Sequence, residues 1–291
     1  MPQRFDNFFH SVEGNEAERC HYPTRLDTYG CGCQHNCAYC YAKSLLAFRG
    51  LWNAQQPAAA SLRKIRGIIV RQLFPGDVVR LGGMTDCLQP LERAMKRTLK
   101  TIEMLNQRHV HYLIVTKSDL VAAPEYLAAM DRRLAHIQVS ITSTRDEISR
   151  RLEPGAPLPA ARIAAVEKLA AEGFDVSVRL SPFVPEFVDL EKINGIACDK
   201  ILVEFPRVNA WIEKWLANLG ADLSQHTRFS SGYKHLPLNR KRGLLAGITG
   251  YPQVSVCEDV PEDWDFWHDN VNHNPDDCCN LNLTQYANQK D

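Results

Sequence analysis

Short runs rich in β-branched residues alternate with longer amphipathic stretches along most of this chain of 291 residues. Alternation at this spacing is typical of an α/β fold, in which helices connect the strands of a parallel sheet. The runs that we predict to be strands are 25–29, 78–81, 111–116, 137–142, 175–180 and 200–205. The stretches that we predict to be helices are 39–49, 90–106, 122–134, 160–172 and 190–196.

Six strand–helix units fit between residues 25 and 206, fewer than the eight of a closed barrel. The sequence therefore predicts the α/β fold class, as a partial (β/α)6 TIM-like barrel with a C-terminal extension. We expect residues 1–24 to form an N-terminal arm and residues 25–206 to form the barrel. Beyond residue 206 the alternation fades, and residues 207–291 are predicted to be short helices and loops that cover the active site.

The composition indicates the cellular location in which we expect the protein. No run of about 18 apolar residues is present, so no membrane helix is predicted. The first residues lack the apolar core of a secretion signal, which predicts a cytoplasmic protein without a membrane partner. Ten cysteines in such a chain argue against disulfides and favour metal binding or redox chemistry.

Charge is unevenly distributed although the net charge is zero. Residues 257–291 carry −8, so residues 1–256 carry +8. A basic body favours a partner that bears phosphate. A solvated surface followed by an acidic tail explains the same numbers equally well.

Three cysteines, Cys33, Cys37 and Cys40, have the spacing C-x3-C-x2-C in a loop that follows the first predicted strand. Three thiolates can hold three irons of a four-iron cluster and leave the fourth iron open to another ligand. The same spacing could serve zinc, with Cys31 or His35 as the fourth ligand, in a non-enzymatic zinc-binding module. The preceding strand and the following helix favour the cluster.

With the aromatic Tyr39 before its last cysteine, this motif resembles the signature of the radical S-adenosylmethionine (radical SAM) superfamily. The resemblance implies a [4Fe–4S] cluster on Cys33, Cys37 and Cys40 whose open iron binds S-adenosylmethionine. It also implies cleavage of that cofactor to a 5′-deoxyadenosyl radical, which abstracts hydrogen from substrate. A cellular one-electron reductant such as flavodoxin or ferredoxin and a position of Tyr39 near the adenine are implied as well.

Four further motifs, each at the end of a predicted strand, resemble the spore photoproduct lyase-like branch of that superfamily. They are Leu-Gly-Gly-Met-Thr-Asp-Cys-Leu-Gln-Pro (81–90), Ile-Val-Thr-Lys-Ser (114–118), Ser-Ile-Thr (140–142) with Arg-Leu-Glu-Pro (151–154) and Arg162, and Val-Arg-Leu-Ser-Pro (178–182). By this resemblance, the residues that contact the cofactor are Gly82, Gly83, Thr85, Lys117, Ser140, Thr142 and Arg179. Lys117 would pair with the cofactor carboxylate, and the glycine pair would contact its amino group.

The catalytic thiol is where the sequence departs from that branch. Spore photoproduct lyase donates hydrogen from a cysteine beside the motif of the second strand, whereas Gly83 or Met84 occupies that position here. Cys87 is the nearest thiol, and we keep it as a candidate catalytic residue. Aromatic candidates for the pocket wall are Tyr41, Trp52, Tyr233 and Trp267, and of these Tyr233 is also a candidate catalytic residue. Polar candidates are Asp86 and Glu204.

Cys257, Cys278 and Cys279 form a second group of cysteines in the tail. They are compatible with an auxiliary iron–sulfur cluster, with Cys198 or a histidine as a fourth ligand. They are equally compatible with a catalytic hydrogen donor or redox pair at Cys278 and Cys279, or with an inert structural cap.

The substrate follows only from the branch resemblance and the basic body. Both favour modification or isomerisation of a nucleobase, in a nucleotide or in DNA. The alternative is a radical SAM enzyme that acts on a small metabolite or a peptide.

Overall fold

A computed structural model describes residues 5–13 and 18–283 of the chain. The strands in this part are β1 (Phe9–Ser11), β2 (Thr24–Leu26), β3 (Tyr29–Gly30), β4 (Ala58–Ala59), β5 (Val78–Leu81), β6 (His111–Thr116), β7 (Ala135–Ser140), β8 (Asp175–Leu180), β9 (Lys200–Val203), β10 (Arg228–Ser230), β11 (Tyr233–His235) and β12 (Gln253–Val256). The α-helices are α1 (Tyr41–Leu46), α2 (Leu62–Gln72), α3 (Glu92–Met95), α4 (Arg97–Gln107), α5 (Pro124–Ala129), α6 (Asp146–Leu152), α7 (Pro159–Ala171), α8 (Leu190–Asn194), α9 (Ala210–Ala217), α10 (Leu238–Leu245) and α11 (Pro261–Asn270).

One eight-stranded sheet organises the molecule, in the order β1–β2–β5–β6–β7–β8–β9–β12. The edge strand β1 is antiparallel to β2, and all other neighbouring pairs in the sheet are parallel. The carboxyl ends of the parallel strands therefore meet at one edge of the sheet, which is where ligands bind in such folds. The predicted α/β class and the partial barrel are confirmed.

The tail departs from the prediction that only helices and loops follow residue 206. Strand β12 pairs in parallel with β9, from Gln253 opposite Lys200 to Val256 opposite Val203. The sequence of β12 is short and half polar, so its local pattern does not distinguish it from a loop. It becomes a strand because β9 offers it an edge with unpaired backbone groups.

The helix predicted over 90–106 is interrupted at Lys96, whose φ of 50° lies in the left-handed region. After this break, the buried Glu92 carboxylate accepts hydrogen bonds from the backbone N–H groups of Thr98 (3.0 Å) and Leu99 (2.9 Å). These bonds satisfy donors that the start of α4 leaves without a partner inside the helix. The interruption thus buries a carboxylate that also accepts a hydrogen bond of 2.6 Å from the Tyr126 hydroxyl.

The hydrophobic core lies between the sheet and the helices that cover it. Helix α2, which the sequence analysis does not predict, buries Ile65 and Ile69 on one face because residues four apart lie on the same side of a helix. Helix α7 buries Val166 and Leu169 in the same core. No helix in the described ranges is long and apolar enough to cross a membrane.

Candidate active site

A cavity of about 890 Å³ opens at the carboxyl ends of the parallel strands. The predicted site residues that line it are Cys33, Cys37, Tyr39, Cys40, Gly82, Gly83, Thr85, Lys117, Ser140, Arg179, Tyr233, Cys278 and Cys279. Residues from segments that are far apart in the chain therefore meet at one site. For the residues at the ends of β5 to β8, this meeting is the consequence of parallel pairing, which brings these strand ends to the same edge.

The cysteine loop connects β3 with α1. Two backbone hydrogen bonds shape it, from Asn36 N–H to the Cys33 carbonyl (3.0 Å) and from Cys40 N–H to the Cys37 carbonyl (3.3 Å). Cys40 is the N-cap of α1, and its sulfur accepts from the Lys43 N–H at 3.4 Å. Burial raises the pKa of the Cys33 thiol to about 12 and that of Cys37 well above its usual value. Metal binding, which requires thiolates, would offset this cost.

The carboxylate of Asp86 holds the cysteine loop in place. One carboxylate oxygen lies 3.2 Å from His35 Nε2 and accepts from the Lys117 N–H at 2.7 Å, while the other accepts from the Thr116 hydroxyl at 2.7 Å. Burial opposes ionisation of Asp86, but His35 and the Lys117 N–H outweigh it and hold the pKa of Asp86 well below its usual range. Asp86 therefore acts as a fixed anion that joins the loop to the end of β6.

Close backbone contact also positions the loop. Gly155 donates its N–H to the His35 carbonyl at 3.1 Å, and its own carbonyl lies 3.0 Å from His35 Nδ1. A Cβ atom at Gly155 would lie 1.8 Å from the Gln34 carbonyl oxygen. Only glycine permits this approach.

A second buried group of charges lies beside the motif. The Tyr39 hydroxyl donates to the Glu153 carboxylate, which also pairs with Arg162 at 2.5 Å. The Lys117 ammonium lies 5.6 Å from the centre of the Tyr39 ring. Burial disfavours the charge of Lys117, but the nearby Cys37 and Glu153 outweigh it and raise its pKa, so this amine stays protonated at the cavity wall.

The remaining strand ends contribute unequally. Ser140 ends β7 and lines the cavity, whereas Thr142 is fully buried and does not. In the predicted strand 137–142, alternation would place both hydroxyls on one face. Because the observed strand β7 ends at Ser140, this alternation does not extend to Thr142.

Arg179 and Glu204 form an ion pair of 2.5 Å on the cavity wall. Arg179 also donates to the Gln138 amide oxygen (2.7 Å), and the Ser181 hydroxyl donates to Glu204 (2.8 Å). Burial opposes the charge of Glu204, but Arg179 and Arg207 outweigh it and lower its pKa to about 2.

Residues of the glycine motif after β5 make hydrogen bonds to other parts of the fold. Gly82 has a φ of 84°, a conformation that favours glycine. The Gly83 carbonyl accepts a hydrogen bond of 2.7 Å from the Tyr41 hydroxyl, and the Thr85 hydroxyl donates to the Tyr29 carbonyl at 2.7 Å. Thr85 therefore helps to shape the motif.

Two further candidates do not reach the cavity. Cys87 is fully buried in the hydrophobic core, and burial raises the pKa of its thiol well above the usual value. Trp267 is also fully buried there, whereas Trp264, three residues earlier on α11, lines the cavity. Both aromatic residues lie in one short run of the sequence, and only the helix orientation tells which of them faces the cavity.

The residues that the sequence analysis missed are Trp264, Arg207 and the thiol of Cys20, all on the cavity wall. Glu153 and Arg162 belong to a motif that the sequence indicates, but their pairing does not follow from that motif. A signal for this pair was the presence of two opposite charges beside apolar runs, since such charges are rarely buried unless paired.

The three motif thiols suit a cluster better than a single ion. Zinc binds sulfur at about 2.3 Å, which brings the sulfur atoms within about 4 Å of each other. Among the described residues, only His235, Glu258 and Asp259 bring three metal-ligating atoms within 4.8 Å of one another. The motif cysteines are therefore spread more widely than one ion requires, as ligands of separate irons would be.

A family model described as the Radical SAM superfamily matches residues 28–193. The match covers more than half of the chain and includes the cysteine loop and the ends of β5 to β8. The interpretation as a non-enzymatic zinc-binding module is therefore wrong.

Proteins with sequence similarity to this chain occur in different organisms. An uncharacterized protein of Methanocaldococcus jannaschii is 28% identical over 170 residues, which is 56% of this chain and 62% of that protein. An uncharacterized protein of Mycobacterium tuberculosis is 24% identical over 221 residues, which is 68% of this chain and 64% of that protein. The chain thus spans less than two thirds of the length of these curated relatives.

Two solved structures share the fold. Spore photoproduct lyase complexed with a dinucleoside spore photoproduct aligns with a TM-score of 0.62 at 18% identity, over 85% of this chain and 78% of that one. A cysteine mutant of that lyase aligns with a TM-score of 0.63 at 18% identity, over 87% of this chain and 79% of that one. At this identity, the likeness shows a common architecture.

Proposed function

Since the chain belongs to the Radical SAM superfamily and is an enzyme of that class, we propose that it modifies or isomerises a nucleobase, in a nucleotide or in DNA. Membership in the superfamily implies a [4Fe–4S] cluster and S-adenosylmethionine. Cys33, Cys37 and Cys40 would hold the cluster, because three thiols at one cavity wall leave one iron for the cofactor. When bound, these groups supply a 5′-deoxyadenosyl radical, which can take hydrogen from an unactivated C–H bond.

The residues of the chain would bind and orient the cofactor. The protonated Lys117 lies close to Cys37 and Tyr39, where it would attract the cofactor carboxylate. Ser140 and Arg179 offer hydrogen-bond donors at the ends of the next two strands. Gly82 lines the cavity in a left-handed conformation that favours glycine, and Tyr39 would pack near the adenine.

The observation that carries the substrate proposal is the combination of aromatic rings and guanidinium groups around one cavity. The aromatic residues that line the cavity are Tyr41, Trp52, Tyr233 and Trp264, and the nearby guanidinium groups belong to Arg179 and Arg207. Aromatic side chains stack on nucleobases, and guanidinium groups pair with phosphates. The fold shared with a lyase that was solved in complex with a dinucleoside spore photoproduct supports the same substrate class.

The substrate is tested by anaerobic incubation with S-adenosylmethionine and dithionite, which replaces a cellular reductant such as flavodoxin or ferredoxin. Deuterated nucleotides, single-stranded DNA and duplex DNA are offered in turn, with deuterated peptide and metabolite pools beside them. We expect deuterium in 5′-deoxyadenosine, measured by chromatography and mass spectrometry, from one nucleic-acid class. The Cys37→Ala variant is the control and should form none. Transfer only from a peptide or metabolite would contradict the proposal and establish the alternative substrate.

A further inference from the structure

Four thiols outside the motif line the same cavity: Cys20, Cys257, Cys278 and Cys279. They come from three separate parts of the chain. Cys20 precedes β2, Cys257 directly follows β12, and the adjacent pair lies beyond α11. The function proposed above does not need them.

The fold holds each of these segments in place. The Tyr22 hydroxyl donates a buried hydrogen bond of 2.6 Å to Asp277, which joins the segment of Cys20 to the adjacent pair. The other oxygen of Asp277 accepts from the Cys279 N–H at 2.9 Å. The Cys257 N–H donates to the Val203 carbonyl at 2.9 Å, so this cysteine continues the pairing of β12 with β9.

The thiols influence one another electrostatically. The Cys278 side chain is hydrogen-bonded to those of Cys257 and Cys279. Cys20 lies close enough to Cys279 for the two thiols to interact electrostatically. Each thiol therefore has another of the group as a neighbour.

Three guanidinium groups lie around these thiols. Arg25 Nη2 is 3.7 Å from the Cys20 sulfur. Arg179 and Arg80 lie close enough to Cys279 to interact with it electrostatically. Cations at these places would offset the negative charge of several thiolates in a buried site.

We propose that Cys20, Cys257, Cys278 and Cys279 bind a second [4Fe–4S] cluster. Four cysteines are the usual ligand set of such a cluster. A single ion does not suit them, because no three of their sulfurs lie within 4.8 Å of one another. With thiolates on all four irons, this cluster has no open position and is restricted to electron transfer.

Cys198, which the sequence offered as a fourth ligand of this second cluster, lies away from the other thiols. The Cys198 sulfur packs against the Val176 and Lys200 carbonyls, at 3.4 and 3.5 Å, and does not line the cavity. Cys20 takes its place in the proposed set. Cys198 therefore serves as a matched control, since it is a buried thiol outside both proposed sites.

The test is iron and sulfide content after anaerobic reconstitution of the full chain. We expect about eight irons in the wild-type protein and about four in a triple variant whose motif cysteines are alanine. The remaining cluster should give an electron paramagnetic resonance signal after reduction with dithionite. Adding Cys257→Ala or Cys279→Ala to the triple variant should remove iron and signal, whereas adding Cys198→Ala should leave both. Cys20→Ser should lower the iron content, because a hydroxyl binds iron less well than a thiolate.

Two outcomes would overturn the proposal. One is a triple variant that binds no iron although its circular dichroism equals that of the wild type. This outcome counts against the proposal whether or not mass spectrometry finds the tail cysteines in a disulfide. The other is iron that survives Cys257→Ala and Cys279→Ala. If an alanine variant fails to fold, the serine variant at the same position is measured in its place. None of these readouts depends on the substrate, so the result is independent of the nucleobase proposal.

Discussion

The Arg162 guanidinium lies 2.5 Å from the Glu153 carboxylate, and both side chains are almost completely buried. The same carboxylate accepts the hydrogen bond of the Tyr39 hydroxyl. This ion pair therefore connects the cysteine loop, through Tyr39, to the start of α7. It stabilises the loop only while both charges are present.

Removal of one partner leaves the other as an unpaired buried charge. We expect Arg162→Met to lower the free energy of unfolding by about 3–5 kcal/mol, measured by urea denaturation. The control is Arg150→Met, because Arg150 pairs with Asp146 at 3.3 Å on the surface and should contribute less than about 1 kcal/mol. Equal losses in the two variants would mean that the buried pair has no special role. The double variant Arg162→Met/Glu153→Gln should lose less than the two single variants together.

Glycine at position 155 is required by the cysteine loop. In Gly155→Ala, the new Cβ would lie 1.8 Å from the Gln34 carbonyl oxygen, so the loop must move. We expect reduced iron content after reconstitution and a lower melting temperature. Gly243→Ala is the control, because nothing lies within 4 Å of a Cβ at that exposed position in α10. Alanine there should stabilise the helix by about 0.5–1 kcal/mol. An unchanged iron content in Gly155→Ala would contradict the role of the contact.

His111 makes stability depend on pH. Burial and the neighbouring His136, at 3.0 Å, lower the pKa of His111 to about 4, below the value of about 6.5 expected in an unfolded chain. As pH falls through about 6.5, the unfolded chain binds a proton here while the folded protein does not. The contribution is therefore complete above about pH 6.5 and decreases towards about pH 4. Urea denaturation at several pH values should show a shallower decrease in His111→Gln. The same slope in both proteins would contradict this prediction.

Lys117 is the residue that we expect to bind the cofactor carboxylate. A hydrogen bond to a charged group contributes about 1.5–3 kcal/mol. Lys117→Met should therefore raise the KM for S-adenosylmethionine at least about tenfold and leave the iron content unchanged. Lys96→Met is the control, because Lys96 pairs with Glu125 and does not line the cavity. An unchanged KM in Lys117→Met would place the cofactor carboxylate elsewhere.

Local patterns in the sequence determined the parallel strands and the motif at the first strand end. The predicted bounds of β5, β6 and β8 agree with the structure. These strands are short runs rich in β-branched residues between polar turns, so neighbouring residues suffice to define them. The cysteine motif is equally local, and the match to the Radical SAM superfamily confirms the family that it indicated.

Tertiary structure decided which side chains face the cavity. Cys87 lies in the core although it is close to the motif of β5 in sequence, and Thr142 is buried because β7 ends two residues earlier. Beyond a strand end, alternation no longer sets the direction of a side chain. The addition of β12 to the sheet and the hydrogen bond from Tyr22 to Asp277 join segments far apart in the chain. Contacts of this kind depend on the complete packing of the molecule, and no local pattern in the sequence encodes them.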